Sequence, residues 1–587
     1  MRPYGAMEAR GGEEASSPEP PTRMPDKRGN GPFISTFILM VGGAFLLTAS
    51  STNPGVPAVL EEPEKTSRGK ATTLTTPHIV FLLLDDAGYN DFGYASTDIT
   101  SATPFMDSMA NDGVKLTRYY SEHSCTPSRA ALFAGQSPIL TGMVHENIDV
   151  TSSWGMRSDV KILPGMLQDV GYKTYLVGKW DIGHYAPQYW PTERGFDSFL
   201  GFLGCCFGDV YKHTTHWVTD FHQDMENANS SFSDEWAKDV NGDWQKGVFA
   251  TYIFENTAER IVKKHDVSEP MFLMVAFNAP HHPVTVPVEF NGTDDFLQAT
   301  NGAKYAMRAD FAANMRLVDN AAVSIVSAMK SRGIYDNSVI VVTSDNGAPS
   351  SGSGDPNGGS NYPFRGFKGA PWEGGMRVQA FVHSPLLVHR NFSVDHMFHV
   401  TDWAPTLVEG VARGDSVGLP ADGGGVNQWE LITNPNATAK RTEIAFLIDY
   451  VGGGVGAIMI GDYKFMQRMS CEEWYVPETG LATQLNGVNC SGADGNVKRR
   501  IYNVKEDPSE TMNLYDDPQY ATIQAELANR WCYYSLEVMT DSMYRDSESD
   551  LMLARAGNNS DYVTYWKTDV NDTSQYPLAK DTNMFCE

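Results

Sequence analysis

Positive charge is in short supply in this chain. Forty-five Lys and Arg residues face 72 Asp and Glu, and the formal net charge is −27. A nucleic-acid partner is excluded on that ground, because phosphate backbones are gripped by clustered Lys and Arg. The excess acid serves solubility, and an anionic substrate must find a local basic pocket on an acidic molecule. Internal repeats are missing. A hydrophobic fraction of 41% with 20% charged residues excludes a disordered or fibrous protein. With 587 residues the chain can bury a large core and form more than one domain.

Long apolar runs are scarce too. The one that stands out, residues 33–49, follows Arg23, Lys27 and Arg28 and ends in small residues at Thr48 and Ser50. That order fits a cleavable secretory signal. It is long for a signal core and short for a spanning helix of about 20 residues, so an uncleaved membrane anchor is the alternative. Either reading sends the rest of the chain along the secretory pathway: secreted, lysosomal or vacuolar, or facing the lumen from an anchor. Cysteine number agrees. Of seven cysteines, setting Cys125 aside leaves six, which allow 15 disulfide pairings. Cys471 with Cys490 is the expected loop clip, and adjacent Cys205 and Cys206 are expected to go to different partners. Sequons at Asn229, Asn291, Asn391, Asn436, Asn489, Asn558 and Asn571 are compatible with glycosylation.

From residue 77 onward short apolar runs alternate with amphipathic segments. Residues 78–84 predict a strand buried on both faces, and 173–177, 271–277, 338–343 and 378–382 predict others. Helices are predicted over 128–134, 163–170 and 305–332, the last closed by Gly333. This alternation implies an α/β domain around a mostly parallel sheet, with ligands gathering at the carboxyl ends of its strands. Beyond about 435 short strands at 443–448, 456–460 and 464–469 follow without long helices, predicting a smaller α+β domain. The organisation expected is a disordered leader at 1–32, a signal or anchor at 33–50 and a linker at 51–75. A catalytic domain follows at 76–435, then a subdomain at 436–530 and a polar surface tail at 531–587.

Asp85 and Asp86 end the first strand, and Asp345 and Asn346 end a later one. Each pair alone reads as a turn or cap. Together they offer hard oxygen donors suited to Ca²⁺ or Mg²⁺, whereas zinc would call for more His or Cys. Cys125 alone would be read as an inert buried thiol, and no Cys-His pattern makes it a thiolate nucleophile. Pro127 fixes the backbone, Ser128 is positioned to cap a helix, and Arg129 lies one residue into it. Cys125 then sits near a helix N-terminus, where anions are favoured.

Cys125-Thr126-Pro127-Ser128-Arg129-Ala130-Ala131-Leu132-Phe133-Ala134-Gly135 resembles the signature of formylglycine-dependent sulfatases. The resemblance runs from about 77 to 525 and is closest to the arylsulfatase B (N-acetylgalactosamine-4-sulfatase) branch. It includes Leu84-Asp85-Asp86-Ala87-Gly88-Tyr89-Asn90-Asp91, Val177-Gly178-Lys179-Trp180 and Pro191-Thr192-Glu193-Arg194-Gly195-Phe196-Asp197. Further matches are Ser344-Asp345-Asn346-Gly347, Trp372-Glu373-Gly374-Gly375 and Ile501-Tyr502-Asn503-Val504-Lys505-Glu506-Asp507-Pro508. The resemblance implies an alkaline-phosphatase-like sandwich around a large mostly parallel sheet, with a C-terminal α+β domain carrying a short antiparallel sheet. It implies a sulfuric ester hydrolase in which Cys125 is oxidised by the formylglycine-generating enzyme to an aldehyde that hydrates to a diol. One divalent cation, Ca²⁺ in preference to Mg²⁺, would be held by Asp85, Asp86, modified Cys125, Asp345 and Asn346. Arg129 would orient the diol, while Lys179, His281 and Lys368 would hold sulfate oxygens or assist the leaving group. The substrate implied is a sulfated glycan or a small sulfate ester.

One position departs from the family pattern. Two residues after the lysine of Gly178-Lys179-Trp180, where the family carries His, this chain has Asp181. A carboxylate can serve as the base, but its unperturbed pKa is about 4 rather than about 6.5. It also brings negative charge toward sulfate, and His184 is a nearby substitute. Two other readings follow: a phosphoester or phosphonate hydrolase of related fold, and a sulfoglycan-binding relative impaired by Asp181.

Overall fold

Residues Ile79 to Leu84 contain no polar side chain, so this segment has nothing to offer solvent on either face and belongs in the middle of a sheet. The computed structural model describes residues 76–544 apart from 216–217, 225–246, 352–354, 452 and 492. In it, β1 (His78–Leu84) is buried along its whole length. The expectations for residues 1–75 and for the chain beyond 544 lie outside the described residues, as do those for Asn229, Asn558, Asn571 and Cys586.

The strands of the main sheet after β1 are β2 (Val114–Leu116), β3 (Lys173–Lys179), β4 (Ser198–Phe202) and β5 (His222–Gln223). They continue with β6 (Met271–Ala276), β7 (Ser338–Ser344), β8 (Ala380–His383) and β9 (Phe392–Val394). The sheet has nine strands in the order β9-β2-β8-β7-β1-β6-β3-β4-β5. The contiguous strands β7, β1, β6, β3 and β4 run parallel, and antiparallel pairs enter through β8 and β5. Parallel neighbours need crossover connections, and these are supplied by α1 (Pro104–Asp112), α2 (Cys125–Ala134), α3 (Leu163–Asp169), α4 (Ala250–Lys264) and α5 (Ala306–Ser331). Alternate residues of β1 feed two cores. Val80, Leu82 and Leu84 pack with Phe254 of α4 and Phe311 and Val318 of α5. Ile79, Phe81 and Leu83 pack with Phe133 of α2, Leu167 of α3 and Trp403. This is the expected sandwich of helices about a mostly parallel sheet.

The second sheet joins β10 (Glu443–Asp449), β11 (Val455–Ile460), β12 (Tyr463–Gln467) and β15 (Arg499–Asn503), all antiparallel. A two-stranded ribbon, β13 (Trp474–Tyr475) with β14 (Ala482–Thr483), lies between them in sequence. One face of this sheet packs on α6 (Ala521–Tyr533) through Ile458, Phe465, Leu527 and Trp531. The other face meets Trp372, Met376 and Tyr120. Buried Lys464 lies between Glu373 at 2.8 Å and Glu510 at 2.6 Å. Glu373 of the Trp-Glu-Gly-Gly motif therefore joins the second sheet to the elements around the first.

Three expectations need correction. Ser128 does not cap its helix: α2 already starts at Cys125, and Ser128 Oγ accepts the Glu122 backbone N–H at 3.0 Å. Pro127 is tolerated because first-turn N–H groups have no intrahelical partner. Cys205 and Cys206 pair with each other, while Cys471 pairs with Cys490 as expected and Cys532 is also disulfide-bonded. The described part of the tail is not a surface wrap. Trp531, Tyr534 and Met539 are buried, because these apolar side chains complete the core under α6.

Candidate active site

The parallel strands β7, β1, β6 and β3 bring their carboxyl ends to one edge, and every residue expected there arrives from those ends or from α2 and the loop before β8. Leu84 and Ser344 are direct partners across β1 and β7, so Asp85-Asp86 and Asp345-Asn346 emerge side by side. Lys179 closes β3. Gly178 before it has φ +106°, and a Cβ there would lie 1.9 Å from the Ala276 carbonyl oxygen, so glycine lets β3 approach β6 at the site.

Asp86 has φ 69° and donates its backbone N–H to Asp345 Oδ1 at 3.1 Å. Lys179 Nζ donates to both carboxylate oxygens of Asp85 at 3.0 Å. Arg129 donates from Nε and Nη2 to Asp345 Oδ2, at 3.1 and 2.8 Å, and from Nη1 to the Lys179 carbonyl at 3.2 Å. Lys368 Nζ approaches Asp86 Oδ1 at 2.7 Å and Oδ2 at 2.9 Å. Asn346 Nδ2 donates to Asp86 Oδ1 at 2.6 Å. The Cys125 thiol points into this cluster, 3.5 Å from Asp85 Oδ1 and 3.9 Å from Asp86 Oδ1. All ten predicted residues thus belong to one connected group, with His281 and Lys368 at its partly open side.

Electrostatics follow from burial. Burial works to raise the carboxyls of Asp85 and Asp86, but Lys179 beside the first and Lys368 beside the second, with His281, hold both below their usual value. Burial would lower Lys368, yet Asp86 and its neighbours drive it well above an ordinary lysine. Burial also lowers His281, whose Nδ1 lies 2.6 Å from the His282 carbonyl. A carbonyl can only accept, so Nδ1 carries the proton and Nε2 faces Asp86 at 3.5 Å.

Asp181 is fully buried with φ 60°. Thr126 Oγ1 donates to its Oδ1 at 2.7 Å, while Oδ2 accepts no hydrogen bond and has Lys179 at 3.7 Å. Burial pushes this carboxyl up to about 6 against the pull of Lys179 and Arg129. The low value expected from sequence is corrected, because a buried carboxyl does not keep its aqueous pKa. His184 is no substitute: its Nε2 bonds the Val150 carbonyl at 3.0 Å, among Asp149, Asp220 and His222.

The donor set fits a hard divalent cation. Ligand atoms of Asp85, Asp86, Cys125 and His281 lie within 4.8 Å of one another. The carbonyl oxygen of buried Asn346 has no hydrogen-bond partner, while its amide nitrogen sits beside Asp86. Four buried carboxylates, those of Asp85, Asp86, Asp181 and Asp345, face three permanent cations in Arg129, Lys179 and Lys368. A divalent ion reverses that balance and makes the pocket attractive to an anion. His281, expected as a sulfate contact, enters the close ligand group, whereas Asp345 has its oxygens engaged by Asp86 and Arg129.

Sequence reasoning missed Thr126, which fixes Asp181, and Asn357, whose Nδ2 donates to the Asp86 carbonyl at 3.0 Å. Thr126 fills the variable place of Cys-x-Pro-Ser-Arg, and Asn357 lies in a Ser/Gly/Asn loop where asparagine reads as turn chemistry.

The sulfatase family model matches residues 77–410, more than half of the chain. The chain belongs to the sulfatase family. Arylsulfatase J of Mus musculus is 36% identical over 394 residues, 66% of this chain and 60% of that protein. The N-acetylgalactosamine-6-sulfatase of Rattus norvegicus is 32% identical over 469 residues, covering 76% of this chain and 84% of the relative. The chain therefore spans about three-fifths of the first of these relatives. Its fold is shared with the crystal structure of Ps i-CgsB in complex with k-i-k-neocarrahexaose, at a TM-score of 0.63 and 23% identity, covering 83% of this chain and 98% of the other.

Proposed function

We propose that this sulfatase hydrolyses sulfuric esters, releasing sulfate from a sulfated carbohydrate or an aryl sulfate. The observation that carries the reading is the placement of Cys125. Its Sγ stands at the N-terminus of α2, between the Asp85 and Asp86 carboxylates, with Lys179 and Lys368 bonded to those same acids. Burial pushes the thiol well above its usual pKa, so an unmodified Cys125 is a poor nucleophile. Oxidised to formylglycine, position 125 supplies an aldehyde whose hydrate offers one hydroxyl to attack sulfur and a second to release sulfate. A divalent cation, Ca²⁺ or Mg²⁺, held by Asp85, Asp86, Asn346, Asp345 and the side chain at 125, would supply Lewis-acid charge for the sulfate oxygens.

The chain's own residues divide the remaining work. Lys368 at the open side pairs with the incoming sulfate, and Lys179 faces the same charge from within. Arg129, clamped on Asp345, fixes the start of α2 and so the direction of residue 125. His281 faces the site through Nε2, which bears no proton in the neutral ring and serves the departing alcohol as a donor only once the ring has taken up a second proton beside Asp86. Asp181 Oδ2, with its carboxyl pinned by Thr126 next to residue 125, receives the proton from that side chain. Maturation through the secretory route agrees with three bonded cysteine sites and with exposed sequons at Asn291, Asn391, Asn436 and Asn489. Among the described residues no helix is long and apolar enough to cross a membrane.

The deciding experiment is the intact mass of the peptide containing Cys125 from secreted protein, joined to sulfate release. Formylglycine is lighter than cysteine, and Cys125→Ala should abolish turnover. An unmodified thiol in active material would overturn the reading, and faster cleavage of an aryl phosphate than of its matched aryl sulfate would reassign the reaction to phosphorus.

A further inference from the structure

Beside the reaction centre lies a second concavity that none of the assigned residues uses. It holds some 600 Å³ of space not filled by protein, counting its open mouth, and is walled by Tyr305, Met307, Pro349, Tyr475, Pro477 and Leu481 among others. About 170 Å³ of it can be entered by an atom of water's size, room for one aromatic ring. Three connections tie it to the catalytic group. The Lys368 backbone N–H donates to the carbonyl of Ala348, the residue before Pro349. Asn357, which bonds the Asp86 carbonyl, immediately precedes Gly358 and Gly359 of the wall. The ring of Phe367, adjacent to Lys368, stands edge-on to that of Tyr475 at 5.7 Å.

The wall is shaped by bare backbone. A Cβ on Gly480, which has φ +65°, would lie 2.6 Å from the Tyr305 hydroxyl, so glycine here lets the β13–β14 turn close against Tyr305. At the rim Met307 and Leu481 are 40% and 61% exposed, a large apolar surface to leave in water beside a polar reaction centre.

The chemistry of the lining excludes most occupants. Not one lining residue carries a charge, so a second sulfate or a carboxylate on the substrate would be desolvated there without a counter-charge. Apart from that of Tyr305, the lining hydroxyls are already engaged. Ser351 Oγ donates to the Gly480 carbonyl, Ser360 Oγ accepts from the Tyr362 N–H, Thr479 Oγ1 accepts from the Leu481 N–H, and Tyr475 bonds Ser350. Sugar hydroxyls would find few partners, whereas a flat apolar ring would meet aromatic, thioether and proline surface.

We propose that this pocket seats an uncharged aromatic ring carried on the leaving alcohol, so that the preferred substrates are sulfate esters with an extended aryl group rather than multiply sulfated glycans. The inference rests on the sulfuric-ester reading of the neighbouring centre. Phenyl sulfate and biphenyl-4-yl sulfate test it, because the distal ring changes the size of the leaving phenol while barely altering its chemistry. The expected kcat/KM for the biphenyl ester is at least tenfold higher. Tyr475→Ala should cut that ratio at least fivefold and Tyr475→Phe should keep it. Leu481→Asp, at an exposed position that does not threaten folding, should also lower it by placing charge on the wall.

A ratio near one in the parent, a ratio unchanged by both Tyr475→Ala and Leu481→Asp, or a higher kcat/KM for a monosulfated neutral disaccharide than for the biphenyl ester would overturn the proposal. Binding of 4-phenylphenol, followed by calorimetry, separates the two readings. If neither ester is cleaved, the hydrolase reading falls, while the pocket is still judged by whether Tyr475→Ala weakens that phenol about tenfold.

Discussion

Asp181 stands where the family pattern carries an imidazole, and the structure gives its carboxyl a comparable working range. Burial raises it to about 6, against about 6.5 for an unperturbed histidine. A base must be ionised to accept a proton, so activity should climb as pH rises through about 6 and flatten above it. Asp181→His should keep a rising limb in the same region. Asp181→Asn should erase the limb and lower kcat by about 10² to 10⁴, while the protein remains folded because the amide can still accept from Thr126. Profiles of kcat against pH for the three proteins check this, and a parent limb centred near 4 would remove Asp181 from the role. Arg129 makes the opposite case, a charge whose value lies in fixing other groups. Its guanidinium is fully buried on Asp345, and Arg129→Ala should destabilise the fold by about 3–5 kcal/mol through the stranded carboxylate, read from urea unfolding.

Among the elements, the contact between the second sheet and the Trp372-Glu373-Gly374-Gly375 segment depends on a buried charge triad. Lys464 on β12 lies between Glu373 and Glu510, and all three side chains are inaccessible to water. Burial pushes Glu510 up to about 7, while Lys464 and Arg377 hold Glu373 below its usual value against the same burial. Lys464→Met should cost about 3–5 kcal/mol and shift the urea midpoint without changing the metal affinity of the catalytic cluster. The strands of both sheets were legible in sequence wherever an apolar run was long enough to exclude other states, as in 78–84 and 338–343. The short strands Val114–Leu116 and Phe392–Val394 escaped because three residues carry no readable period. β4 escaped because Ser198-Phe199-Leu200-Gly201-Phe202 has a glycine inside it, where sequence alone suggests a break. The identities of the ten site residues were legible through the family resemblance. The pinning of Asp181 by Thr126 and the support of Asp86 by Asn357 were not, since both are made by tertiary approach.

On the scale of the molecule, a surplus of acid surrounds the centre to which we assign an anionic substrate. The catalytic cluster repeats that surplus in miniature, with four carboxylates against three fixed cations, so the native state should be stabilised by a divalent ion. A ligand at 100 times its Kd stabilises by about 2.7 kcal/mol. Removing the ion with EDTA should therefore lower Tm and abolish sulfate release, and adding Ca²⁺ should restore both. A Tm insensitive to chelation would argue against the ion. The same edge of the main sheet also carries the Cys205–Cys206 pair. It begins two residues beyond Leu203, whose carbonyl accepts the Asp181 N–H at 3.1 Å. An aldehyde at position 125 is an electrophile that any nearby sulfhydryl would capture as a hemithioacetal. By closing on each other, these two half-cystines leave Cys125 as the lone free thiol among the described residues, so an aldehyde formed at that position would meet no sulfhydryl from any of them.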